Sequence, residues 1–531
     1  MTNILRHIFR AKNVLVGLFL INGVLVEAQH SPFFENLPVG NYEVGFKIVT
    51  LTDRSRVSKP LYDYLGEKDT TDRYRKINIH LWYPAKSKSG KGQMTYGEYC
   101  YSSLLSHTME SISAEKKSGT LENQREFFQG NFGKVSDQDW AKLVQAQFLS
   151  RKDATPRLER FPLLIGMLRA VSTSVTNEIL ASNGYVVAMV SGGTIAPASE
   201  DYQAGCAQEV VDMQRAIEYV SETGMINEGV IGTFGFSGSG FTQVLFAMQD
   251  FRIGALADIE SGIYYEGLWE PLSASNYYDN RKLKAPFLHI FGKDMAKREK
   301  YFEEFHKKVF SDRYHLLLNH STLNHWDLAT EGRASTTVLH TRGKYESPIR
   351  ASFELTNYYL LNFFNSVLKN PTDLKRLANK TEKLNFPDSL WSIQHYPAIP
   401  VPPEPDQFRA IIGSKGLDEA MVIARRALKS DSLAEFATAE QLNQLGYNLR
   451  KENKLREALV IMQFATELHP RLTWLWNNLS GMQESFGDKQ EAIRSSEVVV
   501  RLLTDAKASN QRYSEKMLAT SQDRIKRLKA P

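Results

Sequence analysis

Cysteine is nearly absent. Cys100 and Cys206 are the only two in 531 residues, which excludes a disulfide scaffold and leaves either one bridge or two separate thiols. An excess of charge of one sign is missing too. The 65 Lys and Arg against 60 Asp and Glu leave a formal net charge of +5. The basic residues gather into no stripe, so no nucleic-acid partner is implied. His-Glu-x-x-His, Cys-x-x-Cys and Gly-rich phosphate loops do not occur, so neither a metal nor an organic cofactor is expected. Long apolar runs are limited to Val14 to Val26, short of the ~20 residues that cross a bilayer. Arg6, Arg10 and Lys12 precede that run and Val26-Glu27-Ala28 follows it. This is the layout of a secretory signal over 1–28, cut before Gln29. The expected location is therefore periplasmic or secreted, or tethered to a membrane if the segment stays on.

What is present is ordinary globular composition in a chain long enough for two or three domains. Tyr42 to Val49 and Lys76 to Trp82 alternate apolar with polar residues, as paired antiparallel strands with one buried face do. Residues 95–160 are polar, with Phe127, Phe128, Trp140, Leu143 and Phe148 at helical spacing. They predict a helical insertion without strands, either covering a site or only adding packing.

From Phe161 short apolar runs alternate with amphipathic helices. Strands are predicted at Phe161–Ile165, Tyr185–Val190, Val230–Phe236, Ile253–Ile259, Phe287–Phe291 and lastly Tyr314–Leu318. Helices are predicted at Ser174–Asn183, Cys206–Glu222, Phe241–Gln249 and, closing the series, Ser352–Leu368. That order gives an α/β class: a doubly wound, mostly parallel sheet. One domain is assigned to 29–395. Five prolines between Pro397 and Pro405 mark a stiff linker over 396–407.

From 408 to 531 the chain predicts an all-α domain. Leu445-Gly446, Ala458, Ala465 and Pro470 sit at the spacing of a 34-residue tetratricopeptide repeat, with Leu442 where tryptophan is usual. Trp476, Leu479 and Ala492 repeat the pattern 34 residues later. A degenerate pair around Gly416 to Lys429 precedes them.

The chemistry centres on Gly235-Phe236-Ser237-Gly238-Ser239-Gly240, where a strand ends and a helix begins at once. This is the setting of a nucleophile elbow. The sharp turn needs small neighbours two before and two after the serine, and Gly235 and Ser239 meet that need. It lifts the Ser237 hydroxyl above the sheet and aims the Gly238 N–H at a developing oxyanion. Ser239 is a rival nucleophile, but Phe241 would then occupy a position that must be small.

A serine needs a base, and Asn319 to Asp327 after the last predicted strand carries two histidines. His325 lies farther into the loop and is preferred to His320 at the strand end. Three carboxylates compete to orient the imidazole. Asp294 follows Phe287–Phe291, while Glu260 and Asp258 stand at the end of Ile253–Ile259. Leu168 and Arg169, after Phe161–Ile165, are the candidates for the second oxyanion N–H.

The chain resembles dienelactone-hydrolase-like and platelet-activating-factor-acetylhydrolase-like α/β-hydrolases over about residues 37–370. The likeness rests on Leu37-Pro38-Val39-Gly40 with Val44-Gly45-Phe46, on Asp53-Arg54-Ser55-Arg56 and on Ile79 to Ala85. It continues in Leu180 to Val187 and in the elbow. It implies Ser237 as nucleophile and His325 as base. The acetylhydrolase-like branch implies Glu260 or Asp258 as acid. The dienelactone branch implies Asp294 but ordinarily has a cysteine nucleophile.

The expected function is an exported serine hydrolase that cleaves a small-molecule carboxylic ester through an acyl-enzyme. The alternative is an inactive hydrolase fold that binds or scaffolds, with the repeats receiving a protein or peptide partner.

Overall fold

The computed structural model describes residues 31–57, 61–62, 67–68, 73–102, 104, 112–168, 171–191, 202–261, 277–292, 305–370, 377, 386–399, 405–430, 438–505 and 511–530. The expected signal over 1–28 lies outside them, and no helix among the described residues is long and apolar enough to cross a membrane. The chain divides into two units, Met1–Ala398 and Ile399–Pro531.

The first unit is built on eleven strands in the order β11-β10-β9-β8-β7-β5-β6-β2-β1-β4-β3. β1 (Glu43–Val57) and β2 (Tyr74–Ala85) pair antiparallel with Phe46 opposite Trp82. β2 also runs antiparallel to β6 (Val186–Ser191). From β6 through β5 (Phe161–Met167), β7 (Ile226–Phe236), β8 (Ile253–Ile259), β9 (Phe287–Gly292) and β10 (Arg313–Leu318) all pairings are parallel. The eight strands from β1 to β10 give the α/β-hydrolase order, with one antiparallel second strand.

Helices cover both faces, which is why the central strands read as continuous apolar runs. The helices Ser174–Ser182 and Glu346–Phe364 lie over one core with Phe234, Ala257 and Leu316. The helices Tyr202–Glu222 and Ser239–Gln249 lie over the other with Leu163, Ile231 and Phe287. Cys100 belongs to the first core and Cys206 to the second, so no bridge joins them.

Three strands, β3, β4 and β11, depart from the sequence reading. The stretch 95–160 holds helices at Tyr96–Ser102, Ala114–Phe132 and Asp137–Gln145, but also β4 (Gln147–Lys152). β4 runs parallel to β1 and antiparallel to β3 (Gln93–Thr95). Its signal is weak because one of its buried positions is Ser150, held in a polar network rather than an apolar core. Tyr99 Oη lies 2.6 Å from Ser150 Oγ and donates to Glu178 Oε1 at 2.5 Å. The Leu149 and Ser150 amides donate to Glu178 Oε2 at 2.7 and 3.2 Å. Nor is Tyr314–Leu318 the last strand, since β11 (Trp391–Tyr396) pairs antiparallel with β10. As an edge strand, β11 buries Trp391 fully and leaves its other residues partly open, so its alternation is shallow.

The start of the described chain is pinned to the helix Thr330–Thr337 of the same unit. Phe33 and Phe34 are buried. Arg333, wholly buried, donates through Nε to the Phe33 carbonyl (2.9 Å), through Nη2 to the Glu35 carbonyl and through Nη1 to Glu354 Oε1 (3.0 Å).

The second unit is helical. Its helices Pro405–Lys415, Ala439–Lys451 and Thr473–Phe486 begin 34 residues apart, each followed by a partner, at Leu417–Ser430, Leu455–Leu468 and Lys489–Asp505. The first of these starts inside the stretch assigned to the linker, with a proline at the first position, where its missing N–H is not needed. Gly446 allows close approach within a pair: a Cβ there would lie 2.8 Å from Met462 Sδ.

Candidate active site

β7 runs straight into the helix Ser239–Gln249, and the junction forces Ser237 to φ 59°. A left-handed conformation at a non-glycine residue costs roughly 1–3 kcal/mol and persists only where its surroundings hold it. Here the Ser237 N–H donates to the Ile259 carbonyl at 2.9 Å, and its carbonyl accepts from the Gly240 N–H at 3.0 Å.

The small neighbours are required by contact. A Cβ on Gly235 would lie 2.8 Å from Gln243 Cγ, and one on Gly240 would lie 2.1 Å from Ser261 Oγ. Ser239 is fully buried; its hydroxyl accepts from the Phe236 N–H (3.0 Å) and donates to the Phe236 carbonyl (2.7 Å). It braces the elbow and is not available as a nucleophile. Ser237 and Gly238 are half-buried. Gly238 is the N-cap of the helix, whose first amides have no acceptor within the helix and carry its positive dipole end.

His325 opens a short 3-10 turn, His325–Leu328, beyond β10. The turn is fixed by a reciprocal cap. The Asn324 N–H donates to Asp327 Oδ2 (2.9 Å) and the Asp327 N–H to Asn324 Oδ1 (3.1 Å). Arg342 adds a bond to Asp327 Oδ2 at 2.8 Å. Burial nevertheless pushes the Asp327 carboxyl up to about 6. Gly332 lets the next helix, Thr330–Thr337, approach, since a Cβ there would stand 2.4 Å from Asp327 Cα.

The His325 ring stacks on Phe236, the residue before Ser237, with centroids 4.8 Å apart and planes at 27°. Trp326 packs edge-on against Phe127 of the insertion helix Ala114–Phe132 at 4.8 Å, so the insertion reaches the loop that bears His325.

Glu260 lies just past β8 at φ 51°, its N–H donating to the Ile290 carbonyl at 2.8 Å. That backbone turn swings its side chain toward the His325 loop. Oε1 accepts from the Gly292 N–H, and Oε2 stands 3.6 Å from His325 Nδ1. Asp258 is not brought there. It is buried and engaged by His289 Nδ1. Asp294 lies outside the described residues. His320 shares a 2.9 Å hydrogen bond between its Nδ1 and Thr322 Oγ1, and burial lowers its pKa.

Leu168 does not supply an oxyanion donor, because its N–H is already given to the Val190 carbonyl of β6 at 2.8 Å. A residue directly continuing a strand keeps its ladder bond. Arg169 lies outside the described residues. Sequence reasoning also missed the Gly292 N–H that holds Glu260, and the Asn324–Asp327 cap. The cap was visible as Asn-x-x-Asp just before a helix; the amide left no side-chain signal. Among the described residues no group of three or more His, Cys, Asp or Glu is placed to hold a metal ion.

No family model matches the chain, and no curated protein does. Among the solved structures that match is a ferulic acid esterase from Streptomyces cinnamoneus, with 16% identity over 67% of this chain and 98% of that one, at a TM-score of 0.44. At that identity no residue role is carried across.

Proposed function

We propose that the chain is a serine hydrolase that cleaves carboxylic esters through an acyl-enzyme. The observation that carries this reading is a strained Ser237 elbow whose preceding residue, Phe236, stacks on His325, an imidazole whose Nδ1 faces a clamped, buried carboxylate, Glu260. Ser237 Oγ attacks the ester carbonyl carbon while His325 Nε2 takes the hydroxyl proton. Glu260 keeps Nδ1–H as the tautomer and stabilises the imidazolium. The Gly238 N–H, at the positive end of its helix, stabilises the oxyanion. Collapse expels the alcohol, which receives the proton from His325. Water, deprotonated by the same base, then releases the acid and restores Ser237.

Export through residues 1–28 and a tetratricopeptide-like second unit belong to the same proposal; the 34-residue step between helix starts supports the latter.

The test is labelling by a fluorophosphonate probe, followed by turnover of p-nitrophenyl esters of graded chain length. Wild type labels and turns over, and Ser237→Ala loses roughly 10⁴–10⁶-fold of the rate. Equal labelling of Ser237→Ala overturns Ser237 as nucleophile. A wild type that neither labels nor hydrolyses leaves the inactive, binding reading.

A further inference from the structure

Behind the site lies a buried carboxylate that the proposed chemistry does not use. Glu331 is on the helix Thr330–Thr337, which follows the His325 turn directly, and only 2% of it is exposed. Its Oε1 accepts from Ser172 Oγ at 3.0 Å and from Gln124 Nε2 at 3.1 Å. Oε2 is buried without a partner, and burial raises the carboxyl's pKa.

Ser172 stands in the connection from β5 to the helix Ser174–Ser182. The described residues at its two ends are pinned. Leu168 is fixed at the first by its bond to Val190, and at the second the Ser172 carbonyl accepts from the Thr330 N–H at 2.8 Å. The Val175 N–H donates to Thr330 Oγ1 at 3.2 Å. Gln124 brings in the insertion helix.

We infer that Glu331 is a positioning residue that ties Ser172, at the end of the β5 connection, to the helix that follows the His325 turn, and so sets the position of the base. The inference rests on the serine-hydrolase reading above. A buried acid whose ionisation is disfavoured acts here as an acceptor, so the uncharged amide of glutamine reproduces the function through its carbonyl oxygen. Misplacing a catalytic group by about 1 Å costs on the order of 100-fold. The loss appears in the transition state rather than in substrate binding.

The test uses the full chain, p-nitrophenyl acetate, a phenylboronic acid as mimic of the tetrahedral adduct, and burst titration to count competent sites. Glu331→Ala is expected to lower kcat about 10- to 100-fold, to weaken boronate binding by the same factor and to leave KM within about twofold. Glu331→Gln stays within about threefold of wild type. Ser172→Ala reproduces the loss and adds little to Glu331→Ala; it carries the test if Glu331→Ala does not fold. The inference is overturned if kcat per titrated site and boronate affinity are unchanged while only thermal stability falls, or if Glu331→Gln is as impaired as Glu331→Ala. A wild type without burst or turnover overturns the hydrolase reading itself, and the inference with it.

Discussion

Glu260 Oε2 stands 3.6 Å from His325 Nδ1, while its other oxygen is held by the Gly292 N–H. One oxygen anchors the carboxylate and the other faces the imidazole, just beyond hydrogen-bond distance. Glu260→Gln should therefore lower kcat on a p-nitrophenyl ester by roughly 10²–10⁴-fold with little change in folding. Asp294→Asn, made in parallel, should stay within about threefold of wild type. The reverse ranking would assign the orienting acid to Asp294.

The elbow carries its own prediction. Gly240→Ala sets a methyl group against Ser261 Oγ, where only 2.1 Å is available, and should cost about 1–3 kcal/mol by urea unfolding. Ser239→Gly restores the commoner glycine but removes both hydrogen bonds to Phe236. It should cost about 1 kcal/mol or more, with kcat nearly unchanged if Ser237 alone is the nucleophile.

Stability should depend on pH through Glu178. Burial pushes its carboxyl from 4.5 up to about 7. Between those values the folded chain holds a proton that the unfolded chain has released. The stabilisation is complete below about 4.5 and is lost as pH rises through about 7, on the order of 3 kcal/mol. The urea midpoint should fall between pH 5 and pH 8, and Glu178→Gln should flatten that fall.

In the second unit, Gly446→Val drives a branched side chain into Met462, where even a Cβ would sit 2.8 Å from Sδ. The helices Ala439–Lys451 and Leu455–Leu468 should lose hydrogen-exchange protection corresponding to about 1–3 kcal/mol. Protection in β5 to β9 should not change.

The central strands and the elbow were legible because both depend on short-range patterns: apolar runs in the buried sheet, and small residues around Ser237. β4 and β11 were harder to see because burial there is partial or polar. Asp258 and Glu260 could not be separated from sequence, since two residues apart in a strand they would share one face. The positive φ of Glu260 breaks that parity, so that Glu260 faces His325 while Asp258 meets His289. Leu168 was misassigned because a strand's last ladder bond depends on its neighbour, Val190, and not on its own side chain.

The bond from Arg333 to the Phe33 carbonyl joins positions 300 apart in the chain. During synthesis from the N-terminus, Phe33 and Phe34 emerge long before the guanidinium that secures them. Closing so long a loop carries an entropic cost that only late, cooperative contacts repay. Phe33 already packs on Tyr96 and Phe148, so the guanidinium supplies the latest-made of its contacts and ties the start of the first unit to the helices Thr330–Thr337 and Glu346–Phe364.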